Sequence, residues 1–287
     1  LLLFTSGAEW QITTQNSDAI TPTSIDYRVQ GYVGASNVQP VVTSRSILYA
    51  QDRGGRMREM LYKWESQGYE TNDISVMAPH LFDAYTIKSM AYTRSPYSVL
   101  WCVRDDGVLL GATYVPEHQV IAWHKHATDG EFESVAAIPE GTEDVLYAVI
   151  KRTIDGEERR FVERLHSRYF ATQADCFFID CGVTYDGAAT STITGLWHLE
   201  GETVGGLADG AVFKDKTVAG GSITLDQEAS VVHVGLLYSC DFKTLPAAIE
   251  RTEAASLGLV KNVNSARLRI LESSGVLVGP SFDDLVE

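Results

Sequence analysis

Four short apolar runs recur along the chain at nearly equal intervals. They are Leu1-Leu2-Leu3-Phe4, Ile47-Leu48-Tyr49-Ala50, Val99-Leu100-Trp101-Cys102 and Val145-Leu146-Tyr147-Ala148, with starts 46, 52 and 46 residues apart. Each run soon meets a turn signal: Ser6-Gly7, Gly54-Gly55, Asp106-Gly107 and Asp155-Gly156. An Asp-Gly pair between apolar runs marks a hairpin, because the tight turn that matches strand twist needs positive φ. A second strand-like run follows each turn, at Glu9 to Thr13, Arg56 to Tyr62, Val108 to Tyr114 and Arg160 to Leu165. Val120-Ile121-Ala122-Trp123 and Phe132-Glu133-Ser134-Val135-Ala136 supply further short strands between hairpins.

A unit of about 45–50 residues with several short strands has the period of a propeller blade. Each small sheet then buries its faces only against the next. The apolar run at the head of each unit reads as an inner strand covered on both faces. Beyond residue 170 this spacing is lost. Short strands are expected at Phe177 to Ile179, Thr203 to Leu207, Ser222 to Leu225 and Val231 to Leu237, separated by Asp186-Gly187, Asp209-Gly210 and Gly220-Gly221. Such a pattern suits a small barrel or sandwich. Leu245 to Leu259 is the one long segment with tolerable helix propensity, and a last strand pair is expected over Ala266 to Glu272 and Val276 to Val278. The expected fold class is all-β: partial propeller-like blades over 1–169, then a second β-rich domain, a small barrel or sandwich, over 170–287. With no initiator Met and Leu1 already in an apolar strand, the chain reads as a fragment of a longer protein.

Charge narrows the functions. The 287 residues carry 38 Asp and Glu against 23 Lys and Arg, a formal charge of −15. Residues 1–170 hold 16 basic and 22 acidic residues, and the remainder 7 and 16, so neither half is a basic arm. General nucleic-acid binding needs clustered Lys and Arg and is not expected. A diffuse negative surface favours solubility, or a passage through which a polyanion slides without sticking. No run approaches the ~20 apolar residues of a membrane helix.

Candidate chemistry is sparse. On a strand His124 and His126 share a face, and with Asp129 or Glu131 they form the densest cluster that metal or acid–base chemistry would use. The simpler reading is a strand end whose imidazoles pack on Trp123. His80, His118, His166, His198 and His233 are scattered and read as structural. Cys102 reads as a small buried hydrophobe. Cys176 and Cys181, spaced C-x4-C, could pair or bind metal, yet no second cysteine pair supports zinc. Reduced thiols are expected at all four cysteines, Cys240 included. The pairs Asp105-Asp106 and Asp283-Asp284 point neighbouring carboxylates to opposite faces, with Asp106 a turn residue. Gly205-Gly206 and Gly220-Gly221 precede no helix that would complete a phosphate cradle. Arg53, Arg56 and Arg58, and then Arg159, Arg160 and Arg164, are interleaved with Asp52, Glu59, Glu157, Glu158 and Glu163, so ion pairs rather than nucleic-acid contacts are expected. No catalytic, cofactor-binding or metal residue is assigned.

The run Trp123-His124-Lys125-His126-Ala127-Thr128-Asp129-Gly130-Glu131-Phe132-Glu133-Ser134-Val135 resembles one found in structural proteins of tailed phages. Val145 to Leu165, Ser36 to Pro40, Ala78 to Phe82 and Leu196 to Glu202 extend the likeness over most of the chain, in order. It is closest to the tail tube or nozzle proteins of short-tailed phages and their prophage copies. That resemblance implies a non-enzymatic virion component without a cofactor, assembled in the host cytoplasm. It implies a ring, commonly a hexamer, around the DNA exit channel, with other tail proteins as partners and DNA passing without sequence-specific binding. The alternatives are a propeller binding module for glycan or protein, using Tyr69, Tyr97, Trp197 or Tyr238, and a propeller glycosidase.

Overall fold

The computed structural model describes residues 1–15, 19–244, 250–251, 254–255, 263–270 and 276–286. The chain is all-β and divides into two compact units, Leu1–Tyr238 and Ser239–Glu287. In the first unit the chain lays down sheets one after another. β1 (Leu2–Phe4), β2 (Glu9–Thr14) and β3 (Ile25–Gly31) form a three-stranded meander. The second sheet is β4 (Val41–Val42), β5 (Ser46–Ala50), β6 (Met57–Lys63) and β7 (Gly68–Asp73). The third is β8 (Ile87–Thr93), β9 (Val99–Arg104), β10 (Leu109–Val115) and β11 (Val120–His126). In the fourth, β12 (Glu131–Glu140), β13 (Glu143–Ile154) and β14 (Glu157–Arg164) stand in the order β12-β13-β14. All pairings are antiparallel.

Every hairpin that the repeat predicts is present, but in three of the four units the apolar run is not at the head. A strand precedes it in three sheets: β4 before β5, β8 before β9, β12 before β13. Its composition follows from this interior position. All six residues of β9 are buried. Leu100 and Cys102 enter the core shared with Leu48, Met57 and Phe82, whereas Val99, Trp101 and Val103 enter the core shared with Val135, Leu146 and Ile150. A strand that feeds two cores has no polar face, so the alternation usual in an antiparallel sheet vanishes. β5 divides in the same way, Leu48 and Ala50 to one side and Ile47 and Tyr49 to the other.

The later sheet differs from expectation in three respects. β15 (Asp180–Thr194), β16 (Thr203–Ala208), β17 (Ala211–Thr217) and β18 (Ser222–Leu236) stand in the order β15-β18-β16-β17, an open sheet rather than a closed barrel. Ser222 to Leu225 and Val231 to Leu236 belong to one long strand, and Asp186-Gly187 lies inside β15, where the register shifts as in a bulge rather than turning the chain. No strand covers Phe177 to Ile179. Asp209-Gly210 and Gly220-Gly221 do turn the chain, with positive φ at all four residues.

In the second unit, β19 (Glu250–Arg251) pairs with β20 (Ala254–Ala255), which replaces part of the helix expected over Leu245 to Leu259; the rest of that segment lies outside the described residues. β21 (Val278–Ser281) pairs with β22 (Asp284–Val286), so the expected partner strand lies downstream of Val278, not at Ala266 to Ile270, which has no regular structure. The Ser274-Gly275 junction lies outside the described residues.

Candidate functional site

The polar side chains that matter most lie where one meander meets the next. Glu9 of β2 is almost wholly buried, at 1% exposure. Its Oε1 accepts from the Gly34 N–H at 2.8 Å and from the Tyr49 hydroxyl at 3.0 Å, and its Oε2 from the Val33 N–H at 3.4 Å. One carboxylate therefore ties β2, the strand connection after β3, and β5 of the following sheet. The next junction repeats the device. Glu59 of β6 accepts from the Tyr114 hydroxyl on β10, and Ser46 Oγ of β5 lies 2.6 Å from the same oxygen. Burial pushes both phenols, Tyr49 and Tyr114, above the ordinary tyrosine value. A buried carboxylate is tolerable only when its oxygens are satisfied in this way. At the third junction Ser89 of β8 takes over: its Oγ accepts from the Val135 N–H at 3.2 Å and donates to the Val135 carbonyl at 3.4 Å.

Arg152 of β13 is the largest fully buried side chain. Its Nε and Nη2 donate to the two Glu163 oxygens at 2.6 and 2.8 Å, and its Nη1 to Thr128 Oγ1 at 2.8 Å and the Asp129 carbonyl at 2.5 Å. Beside it burial pushes the Cys181 thiol up to about 12 and raises the Asp180 carboxyl above the usual carboxylate range. Such a thiol is a poor nucleophile, because the thiolate is the reactive form.

His124 and His126 do share a face of β11, and His124 Nδ1 lies 2.7 Å from His126 Nε2. They pack on Trp101, with ring centroids 5.9 and 5.2 Å away, rather than on Trp123. Trp123 points to the opposite face, where it meets Phe82 at 4.7 Å and donates to the Ile74 carbonyl at 2.8 Å. Register explains the choice: Gly111 is opposite both Trp101 and His124, so the two rings lie in one row across the sheet. A Cβ on Gly111 would stand 2.1 Å from His124 Cε1, and only glycine lets the ring lie there. Burial lowers the pKa of His124, and burial, the His124 neighbour and Arg168 together lower that of His126 to about 4. The expected carboxylate partners are elsewhere: Glu131 pairs with Lys151 at 3.0 Å, and the Asp129 carbonyl faces Arg152. Among the described residues no group of three or more His, Cys, Asp or Glu side chains is placed to hold a metal ion.

The arginine clusters form ion pairs within the chain. Arg160 grips both Glu133 oxygens at 2.7 and 3.0 Å, Arg164 meets Glu140 at 2.7 Å, Arg159 meets Glu157 at 2.7 Å and Arg56 meets Asp83 at 2.6 Å. Arg58 instead donates to the Gln51 side-chain carbonyl at 2.9 Å. Asp106 is a turn residue held by Arg104, whose hydrogen bond keeps that carboxyl below the usual range. The glycine pair Gly220-Gly221 gives its two N–H groups to Glu200 at 2.8 and 2.7 Å, so it holds a carboxylate of its own chain where a phosphate would have to sit. All four cysteines carry thiols rather than disulfides. His233 is buried between Thr184 Oγ1 and the Ala174 carbonyl, both at 2.8 Å, and His166 stacks on Phe177 at 4.7 Å. Of the expected platform aromatics, Tyr97 stacks with Tyr169 under Arg168, Tyr69 packs edge-on to Tyr62, and Trp197 is 67% exposed.

The interior Glu–Tyr pairs were missed at the sequence level. A glutamate inside a strand beside a phenol three or four strands further along the chain leaves no local signal. Among the described residues, no helix is long and apolar enough to cross a membrane. Comparison with models of known families and with curated proteins returned no match.

Proposed function

We propose that the chain is a non-enzymatic structural component of a phage tail, part of a ring-forming tube or nozzle subunit around the DNA exit channel. The observation that carries this reading is the serial repeat of antiparallel meanders whose first strands lie side by side, β8 next to both β4 and β12. In this reading the meanders set around those first strands act as propeller-like blades, each covering the next. The polar chemistry supports a structural role: buried carboxylates fasten consecutive sheets, and four arginines of the two clusters, Arg56, Arg159, Arg160 and Arg164, are engaged by acids of the same chain. A net charge of −15 suits a conduit wall that does not retain a polyanion. In this reading the protein resides in the virion, and its partners are further copies of itself and other tail proteins.

Light scattering followed by electron microscopy of the purified chain tests the proposal. Annular particles of several copies, building up with concentration, are expected. A chain that never exceeds two copies, or one that hydrolyses glycans with loss of turnover on a single Asp or Glu replacement, overturns it.

A further inference from the structure

The fourth sheet is one strand short of the second and third. Those have four strands, whereas the fourth ends on β14, and among the described residues no strand pairs with its outer edge. The hydrogen-bond parity of β14 says which groups are left open. The Leu165 N–H donates to the Leu146 carbonyl at 2.8 Å, and the register with β13 continues unbroken from Tyr147↔Arg164 to Ile154↔Glu157. Odd-numbered residues of β14 therefore direct their backbone groups at β13, and Glu158, Arg160, Val162 and Arg164 direct theirs outward. Val162 is 75% exposed on this edge.

We propose that this edge pairs with β14 of a second copy of the chain, antiparallel about a two-fold axis through Phe161. The argument is charge register. Outward groups must meet outward groups, so the two-fold must pass through a residue of the strand. Centring on Arg159 sets Arg159 opposite itself, and centring on Arg160 sets Arg160 opposite itself and Glu157 opposite Glu163. Centring on Val162 sets Arg160 opposite Arg164, and centring on Glu163 sets that carboxylate opposite itself. Centring on Phe161 alone sets no like charges opposite: Glu158 faces Arg164 of the second copy, Arg159 faces Glu163, Arg160 faces Val162, and the two Phe161 rings meet. Like charges directly opposite disfavour pairing and unlike ones favour it, so the same sequence that guards the edge against arbitrary strands admits one partner in one register. Such a contact is isologous, and it closes at two copies. It is separate from the contacts a ring would need.

Sedimentation analysis of the full chain should resolve a two-copy species in equilibrium with the single chain, beside any ring. Phe161→Cys should give, on mild oxidation, a covalent dimer cross-linked at 161 to 161, because a non-hydrogen-bonded antiparallel pair brings Cα atoms within disulfide reach. Val162→Pro removes an outward N–H without touching the bonds to β13 and should abolish the dimer while the thermal midpoint is largely kept. Glu158→Arg should weaken the dimer by about tenfold or more, and Glu158→Arg with Arg164→Glu should restore it. A chain that stays monomeric at the highest soluble concentration overturns the proposal, and so does a dimer indifferent to Val162→Pro or a charge swap that fails to rescue. A ring that persists in Val162→Pro while the two-copy species disappears would leave the tail reading standing on its own contacts.

Discussion

β9 and β13 begin from the same kind of apolar run, and the fold uses them differently. β9 is covered on both faces, and every residue in it is buried. β13 is covered on one: Leu146, Ala148 and Ile150 enter a core, while the other face, with β12 and β14 beside it, carries the Glu133–Arg160, Glu140–Arg164 and Lys151–Glu131 pairs. The carboxylates divide along the same line. Glu9 and Glu59 are enclosed at sheet junctions, where loss of Glu9 would orphan the Tyr49 hydroxyl and the Gly34 N–H, and loss of Glu59 would leave the Tyr114 hydroxyl only Ser46. Glu133 and Glu140 lie on the open face, where water replaces an arginine at little cost. Position relative to a covering sheet, rather than residue type, sets what a carboxylate contributes.

The strongest way to break this contrast is Glu9→Leu. It leaves the Tyr49 hydroxyl and the Gly34 N–H buried without an acceptor, and the midpoint of urea unfolding should fall by the equivalent of about 3–5 kcal/mol. A loss no larger than that of an exposed pair would erase the distinction between the two regions. Next comes Gly111→Ala. Its added methyl must push the His124 ring off the sheet, and overpacking of this kind costs roughly 1–3 kcal/mol; an unchanged melting temperature would contradict the packing of the histidine row.

Acid sharpens the comparison further. His126 and His124 are held neutral by burial, while an unfolded chain protonates its histidines near 6.5. With folded values depressed, the unfolded state binds more protons as pH falls below about 6.5, and stability drops progressively until the folded His126 titrates near 4. Above 6.5 the pair has no pH dependence to contribute. Between pH 6.5 and 4 the decline should be on the order of 1–3 kcal/mol, and His126→Gln should flatten it. The smallest effect is expected for Arg160→Ala on the open face: a shift in unfolding midpoint near the limit of detection, vanishing in high salt. A salt-independent loss would mean that this face is covered.

The sequence by itself determined the hairpins. Gly54-Gly55, Asp155-Gly156, Asp209-Gly210 and Gly220-Gly221 are local instructions, each satisfied by the φ values of its own residues, and the recurring apolar runs announced serial sheets. It also announced that the arginines of β14 would be met by acids, but of the partners it suggested only Glu157, beside Arg159, is the one used; Arg160 and Arg164 reach Glu133 and Glu140 of β12. Tertiary structure decided what local pattern cannot encode. An apolar run says that both faces are dry but not which sheets dry them, so the strand before each run and the one open face of β13 appeared only when the sheets met. Trp101 rather than Trp123 receives the histidines because cross-strand register, a relation between residues about 20 apart in sequence, selects the face. Glu9 and Tyr49, or Glu59 and Tyr114, are joined by packing across 40 and 55 residues, and no periodicity within either strand records that distance.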